Sequence, residues 1–296
     1  MSRQLWKTAR LAALSTAAAA GRLPTVPRLL QINLPGAPSA WRAAGFAIEE
    51  DDTTFQVGTI QFKVDSRSSS WLLGDGPRTR KGIPPPPSPV PAHWFGLQAD
   101  GLADIDIDGI ETSITDAEAA NLFSSEASQD HPNGALGLYS VCVTTPDLDT
   151  TVAALQGAGL DLRRVRKAGD PASSLSKGLQ MAFFKFGVLK EEGGQSVRGR
   201  DVVLEIIAPS LGSSADGGPP PAMPGGFAVG SCAAIAGLVV RVPREGGLEA
   251  VRAALGPQGT TLLSEERDAV QGKGMRIAAL RHEACGLTLP IAFLTA

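Results

Sequence analysis

The chain has 296 residues, of which 43% are hydrophobic, and a formal net charge of −3 at pH 7. This length and composition predict a globular protein with a sizeable core, because disordered chains combine low hydrophobicity with high net charge. The acidic balance and the single Tyr argue against nucleic-acid binding, which needs a basic patch and favours aromatic stacking. No apolar run approaches the roughly 20 residues of a membrane span, so we expect no nucleic-acid partner and no membrane span.

Residues 1–27 have the composition of an organellar targeting leader. They contain no acidic residue, and Arg3, Lys7 and Arg10 would share one face of a helix. Leaders that are free of acids and rich in Arg and Ala are typical of transit peptides, although a frayed Ala-rich helix would have the same composition. From the composition of this leader we expect import into a mitochondrion or plastid, with the cytoplasm as the alternative.

The three Cys are too widely spaced for a disulfide framework or a zinc site.

The next segment, residues 28–130, has the element order of a degenerate N-terminal β-α-β-β-β unit with a Pro-rich insert. Alternation predicts a strand at Arg28–Leu34, and a short helix follows in PSAWRAAG. Two further strands, FAIEE and FQVGTIQFKV, are expected to pair across the polar turn DDTT. The Pro tract at Gly82–Pro91 predicts an extended spacer. The alternating Asp and Ile of Asp104–Gly109 predict one strand with an acidic face, because the spacing fails for a calcium loop.

Two clearer β-α-β-β-β units follow at residues 131–208 and 231–296, with a Gly/Pro-rich linker at residues 209–230. In the central unit, Thr145 as N-cap and Pro146 in the first turn predict the start of a helix. Its buried face is expected to hold Leu148, Val152 and Leu155, and that of the C-terminal helix Leu248, Val251 and Leu255. We expect these two units to pair, while the front unit either docks on that pair or pairs with a second chain as a homodimer.

The most specific segment lies at His131–Arg166 and reads HPNGALGLYSVCVTTPDLDTTVAALQGAGLDLRRVR. It resembles the glyoxalase-like domain proteins of the vicinal oxygen chelate superfamily, as do the later pieces AFFKFG, DVVLEIIAP and RIAALRHEACGLTLPIAFLT. That superfamily includes glyoxalase I, bleomycin-resistance proteins and extradiol dioxygenases. The resemblance implies an α+β fold in which repeated β-α-β-β-β units form a cup-shaped mixed sheet.

In that superfamily a divalent metal lies inside the cup, on His and Glu side chains from the first and last strands of each unit. The resemblance places Ser140 where the first-strand His is expected and Glu205 where the last-strand Glu is expected. In the C-terminal unit, Phe293 stands near the position of the second Glu, and the first strand offers only Arg241, which is unsuitable as a ligand. We therefore expect no metal cofactor, with Glu205 as a ligand if a divalent metal does bind.

Three residues are the candidates for ligand binding: Ser140, Glu205 and His131. Glu205 is the best candidate for a catalytic role, because a buried acid is unfavourable unless it is paired or protonated. It could instead pair with a nearby Arg. His131 belongs to the HPNG lead, which either closes over the cup or simply forms a turn.

Three functions are compatible with this pattern. The first is a glyoxalase-like domain protein that binds a small organic molecule in the cup without a metal, as bleomycin-resistance proteins do. The second is a divalent-metal-dependent lyase, isomerase or dioxygenase with ligands from non-standard positions. The third is an organellar structural or assembly protein whose cup is a relic.

Overall fold

The computed structural model describes residues 28–65, 93–98, 105–113, 130–167, 178–186, 202–210 and 229–296. The predicted leader at 1–27, the Pro tract at 82–91 and most of the linker at 209–230 lie outside the described residues. None of the described helices is long and apolar enough to cross a membrane.

The described strands form two sheets. The first comprises β1 (Arg28–Pro35), β2 (Thr54–Val57), β3 (Ile60–Asp65), β4 (His93–Gln98), β5 (Ile105–Ile107) and β6 (Ile110–Ser113), with helix α1 (Pro38–Ala43) between β1 and β2. Its strand order is β2-β3-β1-β4-β6-β5. The two central strands, β1 and β4, are antiparallel, and each has a parallel neighbour on its other side, β3 and β6.

The second sheet contains the remaining eight strands, in the order β12-β13-β14-β11-β7-β10-β9-β8. These are β7 (Gly137–Thr144), β8 (Asp161–Arg166), β9 (Leu179–Lys185), β10 (Val203–Pro209), β11 (Ala234–Val242), β12 (Arg267–Asp268), β13 (Arg276–Ala279) and β14 (Ile291–Thr295). Helix α2 (Leu148–Gly157) follows β7, and helices α3 (Gly247–Ala254) and α4 (Gly259–Leu262) follow β11. The predicted fold class is confirmed, since two β-α-β-β-β units share one mixed sheet.

Both sheets follow one pairing scheme. In the second sheet the central strands β7 and β11 are antiparallel, and each has a parallel neighbour on its other side, β10 and β14. The first sheet repeats this scheme around β1 and β4 with one strand fewer on each flank. The segment expected to form one degenerate unit thus forms both halves of the first sheet, with three strands in each half. The boundaries of the predicted domains stay a prediction.

Two short turns correct the expected strands of the front segment. FAIEE was expected to be a strand, but Phe46 and Ile48 are buried in a non-strand loop. The expected strand FQVGTIQFKV is divided at Gly58, whose φ is 64°, into β2 and β3, which pair with each other as antiparallel strands. The strand expected at Asp104–Gly109 is present as β5, but it ends at Ile107. Asp108 and Gly109 both have positive φ, which gives the two-residue hairpin turn that an Asp-Gly pair favours, here between β5 and β6.

Helix α2 begins two residues later than predicted, because Asp147 rather than Thr145 caps it. Asp147 Oδ1 accepts hydrogen bonds from the backbone N–H groups of Asp149 and Thr150 at 3.0 and 3.1 Å. Leu148 and Leu155 are buried as expected, whereas Val152 is only partly buried. In helix α3 the expected face is confirmed, with Leu248 and Val251 buried inside it and Leu255 buried at its end.

The second sheet has two distinct faces. Alternate residues of its central strands, among them Val141, Leu204 and Phe293, belong to the main core together with Leu155 of α2 and Val251 of α3. The residues between them belong to two smaller clusters, one around Cys142, Val239, Ile277 and Leu294, the other around Leu179, Met181 and Ile207. We call the side formed by these smaller clusters, with Ser140, Phe183 and Glu205, the cup face.

The front sheet docks on the second sheet within the same chain. The main core runs without a break from Ile32 and Phe62 of the front sheet to Phe293 of β14. At one edge of the contact, Thr288 Oγ1 donates a hydrogen bond to the Pro35 carbonyl oxygen at 2.7 Å. At another, Asp108 of the β5–β6 turn accepts a hydrogen bond from Thr151 Oγ1 of α2. Docking of the front segment on the pair of units is therefore observed, and a homodimer stays a prediction.

Candidate functional site

Glu205 lies in the middle of strand β10, on the cup face. It pairs in register with Cys142 on β7 and with Phe183 on β9, so the three side chains project to the same side. Its flanking residues Leu204 and Ile206 are fully buried in the main core on the other side. The apolar run VVLEII folds as a strand because both of its faces are covered, and alternation places its one acid on the cup face.

Ser140 lies beside Glu205. It occupies β7 opposite Val203, two residues from Cys142, and its side chain is fully buried. A bulge in the pairing of β7 with β11 falls next to it, at Tyr139. Ser140 Oγ has no hydrogen-bond partner among the described residues, although it lies close enough to Glu205 to affect the carboxyl's pKa. The structure thus brings together two of the three predicted site residues.

Two guanidinium groups lie on the cup face, each held against an aromatic ring. Arg166, at the end of β8, places its guanidinium carbon 5.3 Å from the centre of the Phe183 ring. Arg241, in β11, places its guanidinium carbon 5.2 Å from the centre of the Tyr139 ring. Both distances fall within the range of cation–π attraction. Across the cup face the polar groups therefore follow one row: Arg166, Glu205 with Ser140, then Tyr139 and Arg241.

The electrostatics of this row favour protonated acids. Burial raises the pKa of the Glu205 carboxyl, and the Ser140 hydroxyl and the positive charge of Arg166 offset part of the rise. Burial also raises the pKa of the Tyr139 phenol; the charge of Glu205 adds to this, and that of Arg241 opposes it. Burial raises the pKa of the Cys142 thiol far above its usual range, again with a contribution from Glu205. Cys142 is consequently a buried thiol and not a nucleophile.

His131, the third predicted site residue, lies elsewhere, at the junction between the two sheets. It is 7% exposed. Its Nδ1 accepts a hydrogen bond from the Ala47 N–H at 3.0 Å, and its Nε2–H donates to the Gln56 carbonyl oxygen at 2.7 Å. Both ring nitrogens are occupied by the backbone of the front segment. His131 therefore neither closes over the cup nor lies in the row around Glu205.

The rest of the HPNG lead serves the same junction. Asn133 is fully buried; its Nδ2 donates to the Ala44 carbonyl oxygen and its Oδ1 accepts from the Ala135 N–H. Gly134 has a φ of 70°, a backbone conformation that favours glycine, and completes the turn begun at His131. The turn expected from this motif is present, and its side chains fasten the front segment to the second sheet.

Among the residues that the structure describes, the donor set of the cup face does not fit the divalent metal that the family resemblance implies. Phe293, expected near the second Glu position, instead belongs to the main core, where it stacks on Phe46 with ring centres 6.3 Å apart. The cup-face residues of β14 are Ala292 and Leu294, neither of which can ligate a metal. No group of three or more His, Cys, Asp or Glu side chains suited to a metal occurs among the described residues. Glu205 alone provides too few ligands.

No family model matches the chain, and no curated protein matches it. Similar solved structures include the Mn(II)-bound glyoxalase from Novosphingobium aromaticivorans, with 12% identity over 92% of this chain and 83% of that chain and a TM-score of 0.47. Another is 2,2',3-trihydroxybiphenyl 1,2-dioxygenase from Sphingomonas wittichii strain RW1, with 10% identity over 92% of this chain and 91% of that chain and a TM-score of 0.44.

A third similar structure is a xylose isomerase-like TIM barrel/4-hydroxyphenylpyruvate dioxygenase fusion protein, with 8% identity, 93% of this chain covered and a TM-score of 0.46. The chain spans 50% of the length of that fusion protein. With TM-scores below 0.5, these similar structures carry no argument, and the fold rests on this chain's own strand order.

Arg166, Tyr139 and Phe183 are the site residues that sequence reasoning missed. The sequence indicated only that Glu205 could pair with an unnamed Arg. Period-2 alternation in LRRVR would have placed Arg166 and Arg164 on one face of β8. It could not have shown which face, because that depends on the pairing of Arg166 with Met181 on β9.

Proposed function

We propose that this protein binds a small organic molecule on the cup face, around Glu205, without a metal ion. The observation that carries the proposal is the placement of Glu205. It is a largely buried carboxyl group on an otherwise apolar strand, with the Ser140 hydroxyl and the guanidinium of Arg166 near it. Ligand sites commonly combine apolar walls with a few convergent polar groups of this kind.

The energetics support a binding role for these groups. A buried carboxyl and a buried hydroxyl lower stability unless they form hydrogen bonds, and a hydrophobic pair of similar volume would avoid that loss. Ser140 and Glu205 gain nothing in core packing, since the main core lies on the opposite side of their strands. A ligand that bonds to Ser140 Oγ, which has no partner among the described residues, would supply the missing interaction.

The proposal is tested by screening a library of small organic molecules with metal-stripped protein, first by thermal shift and then by calorimetry. We expect ligands that raise the melting temperature of the wild type and lose most of that effect in Glu205→Gln and Glu205→Leu. The matched control is Glu245→Gln, because Glu245 is an exposed residue of the loop before α3.

Two results would contradict the proposal. One is a set of ligands that bind the Glu205 variants as well as they bind the wild type. The other is a stoichiometric divalent metal in the freshly purified protein whose removal abolishes ligand binding. That second result would favour the metal-dependent enzyme.

A further inference from the structure

A bulge in β7 directs the Ser140 hydroxyl to the cup face. Leu138 and Val141 both belong to the main core, although residues three apart on a regular strand point to opposite sides. Strand β11 pairs with Leu138 and Ser140 and skips Tyr139, so Tyr139 is the extra residue of the bulge. Tyr139 packs against a cup-face cluster, and Ser140 lies beside Glu205. Without the bulge, regular alternation would turn Ser140 towards the main core.

The Ser140 hydroxyl is available to a bound molecule. Its side chain is fully buried, and Ser140 Oγ has no hydrogen-bond partner within the described ranges. A buried hydroxyl without a hydrogen bond lowers stability. A ligand atom that accepts a hydrogen bond from Ser140 Oγ therefore gains affinity from a group that is unsatisfied in the free protein.

The carboxyl of Glu205 is the second group that can donate at this point. It lies beside the Ser140 hydroxyl and forms no ion pair with the residues that the structure describes. An unpaired carboxyl on an apolar strand is favoured in its protonated form, which donates one hydrogen bond through its O–H group. Glu205 also retains some exposed surface, so the cup face is open at this carboxyl.

The cup face beside Glu205 is lined by small side chains. Glu205 pairs in register with Cys142 on β7, and Cys142 pairs with Gly237 on β11. Neighbouring strands lie about 4.8 Å apart, so this row leaves a strip about 10 Å wide with no side chain larger than that of Cys. Val239 and Leu294 belong to the apolar cluster next to the strip. A strip of this width accommodates a single flat ring.

We infer that the ligand is an uncharged carbonyl compound with a single flat ring, whose oxygen accepts hydrogen bonds from Ser140 and Glu205 while its ring lies over Cys142 and Gly237. A carbonyl oxygen fits these two donors because it has two lone pairs and no hydrogen to donate. A charged group would lose its hydration beside two uncharged donors. This inference rests on the proposed function and specifies its ligand class.

The test compares acetophenone with two molecules of nearly the same shape. In α-methylstyrene a CH₂ group replaces the carbonyl oxygen, and benzoate carries a negative charge. Calorimetry on the wild-type protein should show acetophenone binding about tenfold or more tightly than either of them, because only acetophenone offers an uncharged acceptor to the two donors.

The variant Ser140→Ala tests the hydroxyl itself. The preference for acetophenone over α-methylstyrene should fall about fivefold, which is the usual effect of losing one hydrogen bond. Because the substitution removes an unsatisfied hydroxyl, urea unfolding should show no loss of stability, and a folding defect would not explain the weaker binding. Ser39→Ala is the matched control, since Ser39 is an exposed residue of α1 and should leave all three affinities unchanged.

Four results would overturn the carbonyl inference. Three concern the wild type: equal affinities for acetophenone and α-methylstyrene, tighter binding of benzoate, or no acetophenone binding at millimolar concentration. The fourth is an unchanged preference for acetophenone in Ser140→Ala. The proposed function is judged separately: it stands if other ligands from the wider screen depend on Glu205, and it fails together with the inference if no ligand does.

Discussion

Glu205 is an acid whose protonation is governed by the strand in which it lies. Its neighbours Leu204 and Ile206 anchor β10 in the main core, so the carboxyl stays on the cup face. The groups that face it are Ser140, Arg166, Tyr139 and Cys142. Of these only Arg166 is positively charged and adjacent, and its attraction does not fully offset the effect of burial on the pKa.

This raised pKa predicts the sign of a pH effect on stability. The folded state holds the proton of Glu205 more tightly than the unfolded state does, so the associated stability is present below the unfolded pKa, about 4.3, and is lost as pH rises through the folded pKa. In Glu205→Gln this loss should be absent, so the variant should gain stability over the wild type as pH rises. Urea unfolding across that pH range measures the difference, with Glu245→Gln as the control. Parallel pH profiles for Glu205→Gln and the wild type would contradict the prediction.

Helix α2 is an element whose start depends on one side chain. Asp147 bonds to two backbone N–H groups of the first turn, and its Oδ2 accepts a further hydrogen bond from Thr150 Oγ1 at 2.6 Å. These bonds hold the pKa of Asp147 below its usual value. The same first turn carries Thr151, which bonds to Asp108 of the front sheet. The cap therefore stabilises both the helix and one contact between the sheets.

Removing this cap should destabilise the protein measurably. Asp147→Ala is expected to lower the free energy of unfolding by about 1 kcal/mol, the usual effect of losing an N-cap. Asp147→Asn should retain most of the stability, because its side-chain oxygen still accepts from the first turn. Asp149→Ala provides the comparison, since it removes an exposed carboxylate of that turn and keeps the cap. Denaturant unfolding measures these differences. Equal losses in the free energy of unfolding for Asp147→Ala and Asp149→Ala would contradict the capping role of Asp147.

At the scale of the whole molecule, residues of the HPNG lead join the two sheets, although His131 of this lead was expected to bind a ligand in the cup. His131 and Asn133 bond to Ala47, Gln56 and Ala44 of the front segment. Because Nδ1 of His131 accepts a hydrogen bond, the ring must be neutral with its proton on Nε2. Burial lowers the pKa of His131, which keeps the ring neutral.

Import into a mitochondrion or plastid and formation of a homodimer stay predictions from the sequence.

The junction predicts a second pH effect, opposite in sign to that of Glu205. Since the pKa of His131 is lowered in the folded state, its contribution is complete above about pH 6.5 and is lost as pH falls through the folded pKa. His131→Ala should lower the free energy of unfolding by about 2–4 kcal/mol, from two buried hydrogen bonds and a cavity. The partly exposed His282 offers the control His282→Ala, which should have little effect. Hydrogen exchange should show faster exchange in the front sheet of His131→Ala, and unchanged exchange would rule out the junction role.

Features that depend on residues within one helix or strand could be predicted from the sequence, whereas features that depend on residues far apart in the chain could not. The buried face of α3 could be predicted, because Leu248, Val251 and Leu255 carry the helical period within one element. Glu205 could be singled out as the one acid of an apolar strand. The partners of His131 could not, since they lie 75 and 84 residues away along the chain. The face of Phe293 was mistaken for a similar reason: it depends on the register of β14 with β11.

The central pairing of β7 with β11 also has a consequence for how the chain folds. The seam joins Cys142 to Gly237, about 95 residues further along, whereas the pair β12–β13 joins Asp268 to Arg276 within a few residues. The entropy of closing a loop must be lost before a distant pairing gains any contact energy, so we expect the rim strands β12 and β13 to form before the seam between β7 and β11. Until the seam closes, β7 and β11 each present an unpaired edge of mostly apolar residues. Refolding of this protein is therefore expected to be slow, and self-association at high concentration is expected to compete with it.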